Sequence, residues 1–273
     1  MKRLMIGIVC IALGTELDAQ SRHQKRPAKF FAAGDTIKAM TVLNQKIAKH
    51  TDDADLYLYR GKIKLERNDL SAAMADFNTF CILNSTCGEA GYLKSWILYQ
   101  QGNYKGAIEQ LSDYTRKQPS ANAFLYLGLS HLRMNNYNPA FGAFERSVEL
   151  ESTNYNAVYN AGLAAYKADN ASMAVTYFEK ATHLLPSDFD AWFGLGLALN
   201  ATQSFGESNK ALRQALAVSP DNSGALFNIG LNYYELGNKK QACSYWGKAQ
   251  NAGSLPATLS LERHCPEKEA KAH

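Results

Sequence analysis

Residues Asp190–Leu199 read DAWFGLGLAL, a run in which nearly every side chain is apolar. Coiled as a helix, it places Trp192, Leu195 and Leu199 at i, i+3 and i+7 on one face, and Phe193 and Leu197 at i and i+4 on a neighbouring face. One apolar stripe needs one partner, so this segment asks for two. Gly196 carries the answer outward. Gly128, Gly162, Gly196 and Gly230 stand thirty-four residues apart. Gly61 lies sixty-seven residues before Gly128, with Ser95 at the place between them. A second series of small residues, Ala73, Ala107, Ala140, Ala174, Ser208 and Ala242, advances in steps of 34, 33, 34, 34 and 34. Four residues after each stands a large apolar side chain: Phe77, Leu111, Phe144, Phe178, Leu212 and Trp246. Six units in register predict a stacked repeat architecture.

Each unit divides into two helices. Asn68, Gly102, Asn135, Asp169 and Gly237 share one place in their units, and these residue types tolerate the left-handed backbone that ends a helix. Pro119, Pro186 and Pro220 close the second half, because proline cannot continue a helix. Glycine in one helix and alanine in the other let the two backbones approach closely. Neither helix buries its apolar face alone, so neighbouring units must stack.

This spacing resembles the tetratricopeptide repeat family, whose unit of about 34 residues is a helix–turn–helix. The resemblance runs from Gly34 to about Gly253. Trp192, Leu195 and Gly196 match its first-helix signature, and Ala174, Phe178, Ala181 and Pro186 its second. Phe80 and Tyr114 depart from it where later units carry Ala181, Ala215 and Ala249. The resemblance implies an all-α fold, a right-handed superhelical α-solenoid of helix–turn–helix repeats. The expected layout is a secretory signal over 1–20, an N-terminal segment and half repeat over 21–53 carrying Gly34, Ala39 and Leu43, and six repeats over 54–253. A capping helix over 254–265 and a polar tail over 266–273 complete it.

The composition fits a folded chain: 273 residues, 46% hydrophobic, 20% charged, formal net charge +4. The basic residues are scattered, so no nucleic-acid footprint stands out. At the start, Met1-Lys2-Arg3 precedes an apolar run of eleven, Leu4–Gly14, and a small residue, Ala19, follows. That is the pattern of a cleaved export signal, favoured over a short N-terminal core helix and over a lipoprotein signal ending at Cys10, and it is too short to span a bilayer, which takes about 20 residues. Leu17 departs from the small residue preferred before the cut. No later stretch approaches a membrane span. Without Cys10 the chain keeps Cys81, Cys87, Cys243 and Cys265, which allow two disulfides in an oxidising compartment. Four cysteines admit three pairings, of which the local ones, 81–87 and 243–265, are favoured; four buried thiols are the plainer reading. Repeat proteins of this family from Gram-negative envelopes often carry a cysteine early in the last second helix and another closing the cap. Cys243 and Cys265 match that arrangement, which implies a periplasmic or envelope protein.

Chemistry is not expected. The glycine pair in GLGLAL follows a helical turn and lacks a third glycine, so dinucleotide binding fails. GLSHL (Gly128–Leu132) lacks the closing glycine of a nucleophile elbow, and His131 reads as a satisfied core histidine. No metal-ligand spacing occurs, and neither a cofactor nor a catalytic residue is expected. Asn84, Asn170 and Asn200 spell glycosylation sequons and nothing more.

By analogy with the family, the inner, concave surface is lined by fixed places on the first helices. Unit by unit these hold Leu58, Lys62, Leu65; Tyr92, Trp96, Tyr99; Leu125, Leu129, Leu132; Tyr159, Leu163, Tyr166; Phe193, Leu197, Asn200; and Phe227, Leu231, Tyr234. Only Lys62 and Asn200 are neither aliphatic nor aromatic. The expected peptide-binding residues are Tyr92, Trp96, Tyr99, Leu129, Tyr159, Leu163, Tyr166, Phe193, Leu197, Phe227, Leu231 and Tyr234. Members that clamp a terminal carboxylate often carry Asn where this chain has Leu129, Leu163, Leu197 and Leu231, so that clamp is not expected. Neighbouring first helices, a bound protein or peptide segment, the chain's own Ser21–Phe31, and a second copy all remain as covers for this surface. Three or four anchors supply about 6–10 kcal/mol gross, at ~1.5–3 each. Association costs ~4–15 kcal/mol, which leaves micromolar binding within reach. The expected function is a scaffold or adaptor, with a holdase-like chaperone and a noncatalytic subunit of an envelope complex as alternatives.

Overall fold

The computed structural model describes residues 29–30 and 33–265. The expected export signal over 1–20 and the tail over 266–273 lie outside them. Among the described residues there are fourteen helices and no strands. They are α1 (Thr36–Lys49), α2 (Ala54–Glu66), α3 (Leu70–Leu83), α4 (Gly88–Gln100), α5 (Tyr104–Lys117), α6 (Ala121–Arg133), α7 (Tyr137–Leu150), α8 (Tyr155–Lys167), α9 (Ala171–Leu184), α10 (Phe189–Ala201), α11 (Phe205–Val218), α12 (Ser223–Glu235), α13 (Lys239–Asn251) and α14 (Leu255–His264). The chain forms two compact units that meet in sequence at Pro119 and Ser120. Each is an α-solenoid in which helices pack on their neighbours in chain order.

Local chemistry sets the helix starts. Asp, Asn or Ser caps thirteen of the fourteen, and in ten the cap oxygen accepts the N–H three residues on. The exception is Cys87 at the head of α4, which is bonded to Cys81 of α3 across a Cα separation of 4.4 Å. The turns within units use the left-handed region at Asn68, Gly102, Asn135, Asp169 and Gly237, as their residue types foretold, and also at Gln203 (φ 60°). Phe80 and Tyr114 do not disturb the spacing. Phe80 is buried, the Tyr114 ring packs 5.8 Å from that of Tyr92, and α3 and α5 have the same fourteen residues as α7.

The glycine series marks where the two helices of a unit touch. A Cβ on Gly61 would sit 2.5 Å from the Phe77 ring, one on Gly128 2.6 Å from Phe144, and one on Gly196 2.6 Å from Leu212. Gly194 has a different partner. A Cβ there would lie 2.7 Å from Phe178 of the preceding unit. The two glycines of DAWFGLGLAL therefore admit side chains from two different second helices, which is why this segment carries more than one apolar face.

In the first unit, α1 and α2 bury Ala39, Leu43, Leu56 and Ile63, with Phe30 packed against them. Polar groups also lie inside. Asp76 of α3 accepts from Arg60 Nε (2.9 Å) and Nη2 (2.6 Å) and pairs with Lys64 Nζ (2.7 Å), while Arg60 Nη1 donates to Asn44 Oδ1 of α1 (2.9 Å).

In the second unit, α14 closes on α13 through Ala257, Leu261 and the Cys243–Cys265 pair, whose Cα atoms are 5.9 Å apart. The His264 ring packs at a tilt on Tyr234, with the ring centres 4.6 Å apart. Replacing both Cys243 and Cys265 by Ser is expected to lower the stability of this unit by about 2–3 kcal/mol, since the crosslink restrains the unfolded chain. Chemical denaturation with and without reductant measures it: wild type should respond to reduction and the variant should not.

Candidate functional site

The expected binding residues fall on the first helices. Tyr92, Trp96 and Tyr99 belong to α4 in the first unit, and the other nine to α6, α8, α10 and α12 in the second. Eleven of the twelve are half-buried, and Tyr234 is exposed at 39%. Their inner sides pack on the solenoid core while their outer sides reach solvent. Tyr159 and Leu163 flank the core around Phe178, Phe193 flanks that around Ile229, and Phe227 and Leu231 that around Trp246. Leu65 and Leu125 are instead buried outright and offer a partner nothing.

In the second unit the first helices lie side by side. The Phe193 ring of α10 would meet a Cβ on Gly224 of α12 at 3.5 Å, and Asn200 of α10 donates to Asn232 of α12. Asn232 is fully buried and spends its own donors on Ser208 Oγ (2.7 Å) and Asn209 Oδ1 (3.0 Å) of α11. Asn200, polar in an otherwise apolar row, is thus committed to helix packing. The Tyr155 phenol of α8 bonds to Asp188 at the head of α10. Burial chiefly, then that bond and the nearby acidic charge, hold its pKa well above the usual tyrosine range. Parallel ring pairs, Tyr155–Tyr159 at 6.0 Å and Phe189–Phe193 at 5.4 Å, form an aromatic shelf at the start of these two helices.

In the first unit the row is not purely apolar. Lys62 is buried, and its ammonium meets Glu89 Oε2 of α4 at 2.6 Å, tying α2 to α4. It is occupied in structure rather than offered to a ligand. Beside it in the row, Trp96 keeps a buried indole N–H that has no acceptor among the described residues.

The other sequence candidates are accounted for locally. His131 is half-buried and not satisfied as expected: its Nδ1 has no partner among the described residues, and burial lowers its pKa, so the neutral ring is favoured at pH 7. Asn84 Oδ1 accepts from Thr86, and Asn170 caps α9. A cavity of about 520 Å3 opens among Tyr137, Tyr166, Lys167, Asp169, Ala171 and Ala201, with the Lys167 ammonium 6.0 Å from the Tyr137 ring centre. Among the described residues no group of three His, Cys, Asp or Glu side chains is placed to hold a metal ion, and no helix is long and apolar enough to cross a membrane.

Family sequence models described as tetratricopeptide repeat match residues 92–157, 159–208 and 224–252, more than half of the chain. This chain is a tetratricopeptide repeat protein. Its repeats share their fold with solved members. A crystal structure of MamA is 24% identical and matches 59% of this chain and 95% of its own, with a TM-score of 0.55. MamA from Desulfovibrio magneticus RS-1 (residue 41 to the end) is 18% identical over 60% of this chain and 93% of that one, at 0.56. YrrB, described as a TPR protein with an unusual peptide-binding site, is 18% identical over 81% of this chain and 97% of its own, at 0.51. No curated protein matches. At these identities the likeness is one of fold alone.

Proposed function

We propose that this chain is a non-enzymatic scaffold or adaptor of a Gram-negative cell envelope that holds an apolar segment of a partner protein on its first-helix face. The observation that carries the reading is the row Tyr159, Leu163, Phe193, Leu197, Phe227 and Leu231. All six are half-buried, all but Leu197 pack against the core from behind, and none makes a side-chain hydrogen bond among the described residues that would mark a purely structural role. Aromatic and aliphatic anchors held rigidly in this way are the residue types that dominate protein interfaces. The peptide-binding site named for YrrB supports the same class of ligand. Export is supported by the basic start, the apolar run Leu4–Gly14, and the two cysteine pairs at bonding distance, which persist only in an oxidising compartment.

The test is affinity capture from an envelope extract with wild type and with the variant Trp96→Asp/Leu163→Asp, after circular dichroism has shown equal helicity. One dominant partner should be captured and should weaken at least ~10-fold in the variant, since an aspartate in an apolar contact must be desolvated or left unpaired. Many weakly held clients would identify a holdase-like chaperone instead. Capture unchanged by the substitutions would sink the first-helix face as the binding surface.

A further inference from the structure

The apolar row of the second unit does not stop at α12. Helix α14 begins after a capping side chain (Ser254), as α6, α8, α10 and α12 do, so its places can be matched to theirs. Its fifth residue is Leu259, at the place of Phe227, and its ninth is Arg263, where the preceding first helices carry Leu129, Leu163, Leu197 and Leu231. Leu255, Leu259 and Arg263 stand at i, i+4 and i+8, on one side of the helix. Leu255 and Leu259 are 78% and 66% exposed, and Arg263 is exposed with no ion pair among the described residues. The packing side is different: Ala257 and Leu261 meet α13, and His264 packs against Tyr234.

This exposed pair is not the docking side for another helix pair stacked end to end. In five full units the eighth residue of the first helix is a glycine that receives a large side chain of its own second helix. In α14 the eighth residue is Glu262, exposed and charged, and Thr258 stands four residues before it. The side a second copy would stack upon is polar. The apolar side is the one that keeps the register of Phe227 and Leu231, and it ends in a cation.

Resting on the reading above, we infer that the bound segment runs on over α14 and carries an acidic side chain there. Its apolar residues lie on Phe227 and Leu259, and its carboxylate pairs with the Arg263 guanidinium. Arginine offers planar, two-pronged donors that suit a carboxylate, and no acid among the described residues is paired with it.

A library of random twelve-residue peptides fused through their C-termini to a phage coat protein tests this, because it removes free terminal carboxylates as a source. It is panned on wild type, Arg263→Glu and Leu163→Asp. Wild type should enrich apolar sequences with Asp or Glu toward one end, and Arg263→Glu should enrich Lys or Arg there instead. In solution, replacing that acidic residue by its amide in the best peptide should weaken binding about 3- to 5-fold to wild type, the scale of an exposed ion pair. It should change binding less than ~2-fold to Arg263→Gln. Apolar sequences without an acidic bias, lost on Leu163→Asp, would overturn the role of Arg263 and leave the apolar face standing. Enrichment unaffected by Leu163→Asp, or none above bare beads, would overturn both. Binding that survives the side-chain amide but is lost when the peptide's own C-terminus is amidated would assign Arg263 to a terminal carboxylate and overturn the side-chain assignment.

Discussion

Phe178→Ala is expected to lower the unfolding free energy of the second unit by about 3–5 kcal/mol, the range for emptying a fully buried aromatic site. The Phe178 ring is 2% exposed and serves two interfaces at once. A Cβ on Gly162 of its own unit would lie 3.0 Å from it, one on Gly194 of the next unit 2.7 Å, and the Tyr159 ring is centred 5.8 Å away. Because both flanking places are glycine, neither can offer a side chain to fill the space, so the cavity term adds to the lost burial. Phe178→Leu retains most of the volume and should cost ~1.5 kcal/mol or less. Guanidinium denaturation followed by far-UV circular dichroism gives both numbers, and a loss below about 1 kcal/mol for the alanine variant would contradict this packing. Repeat arrays draw their stability from nearest-neighbour interfaces, so hydrogen exchange should quicken most in α8, α9 and α10.

The same ring shows what a sequence reveals and what it hides. The thirty-four-residue spacing located the helix pairs because each needs one small residue where backbones approach, and a glycine at that place is visible without coordinates. Gly194 was not legible in this way. Beside Gly196 it formed a glycine pair that failed as a nucleotide fingerprint and kept no other reading, and its actual purpose depends on a phenylalanine sixteen residues earlier in another unit. Gln203 occupies a left-handed turn although nothing in its own chemistry prefers it, because the helices on both sides fix the turn. That the inner row lies on the first helices was legible by analogy with the family. Its depth was not, because half-burial arises from lateral contacts between first helices, such as Phe193 beside Gly224, that no single periodicity encodes. Lys62 and Asn200 looked like breaks in an apolar row and are instead fasteners between helices.

In the first unit the corresponding fastener is Asp76, and Asp76→Ala should cost about 3–5 kcal/mol. The carboxylate is 4% exposed, and the Arg60 and Lys64 side chains that face it are each 18% exposed. Removing the acid leaves two desolvated cations side by side. Arg60 and Lys64 sit one helical turn apart on α2, and Arg60 occupies the place where later units hold Leu127, Ala161, Leu195 and Ile229. Filling all three places with apolar residues of similar size (Arg60→Met, Lys64→Met, Asp76→Leu) should return stability to within ~1 kcal/mol of wild type or above it, since desolvating three charges costs about as much as their attraction gains. The comparison separates two roles. If the triple variant is as stable but packs α1, α2 and α3 less uniquely, seen as broadened amide signals and faster exchange, the charges specify which helices meet. If the single alanine variant loses under about 1 kcal/mol, or its loss shrinks as salt rises from 0.1 to 1 M, the cluster is a screened surface pair. The expected result is a large loss that salt leaves unchanged. Arg60 bonds through one edge of its guanidinium to Asn44 of α1 and through the other to Asp76 of α3, at whose place the later second helices carry Gln110, Ala143, Tyr177, Ala211 and Tyr245.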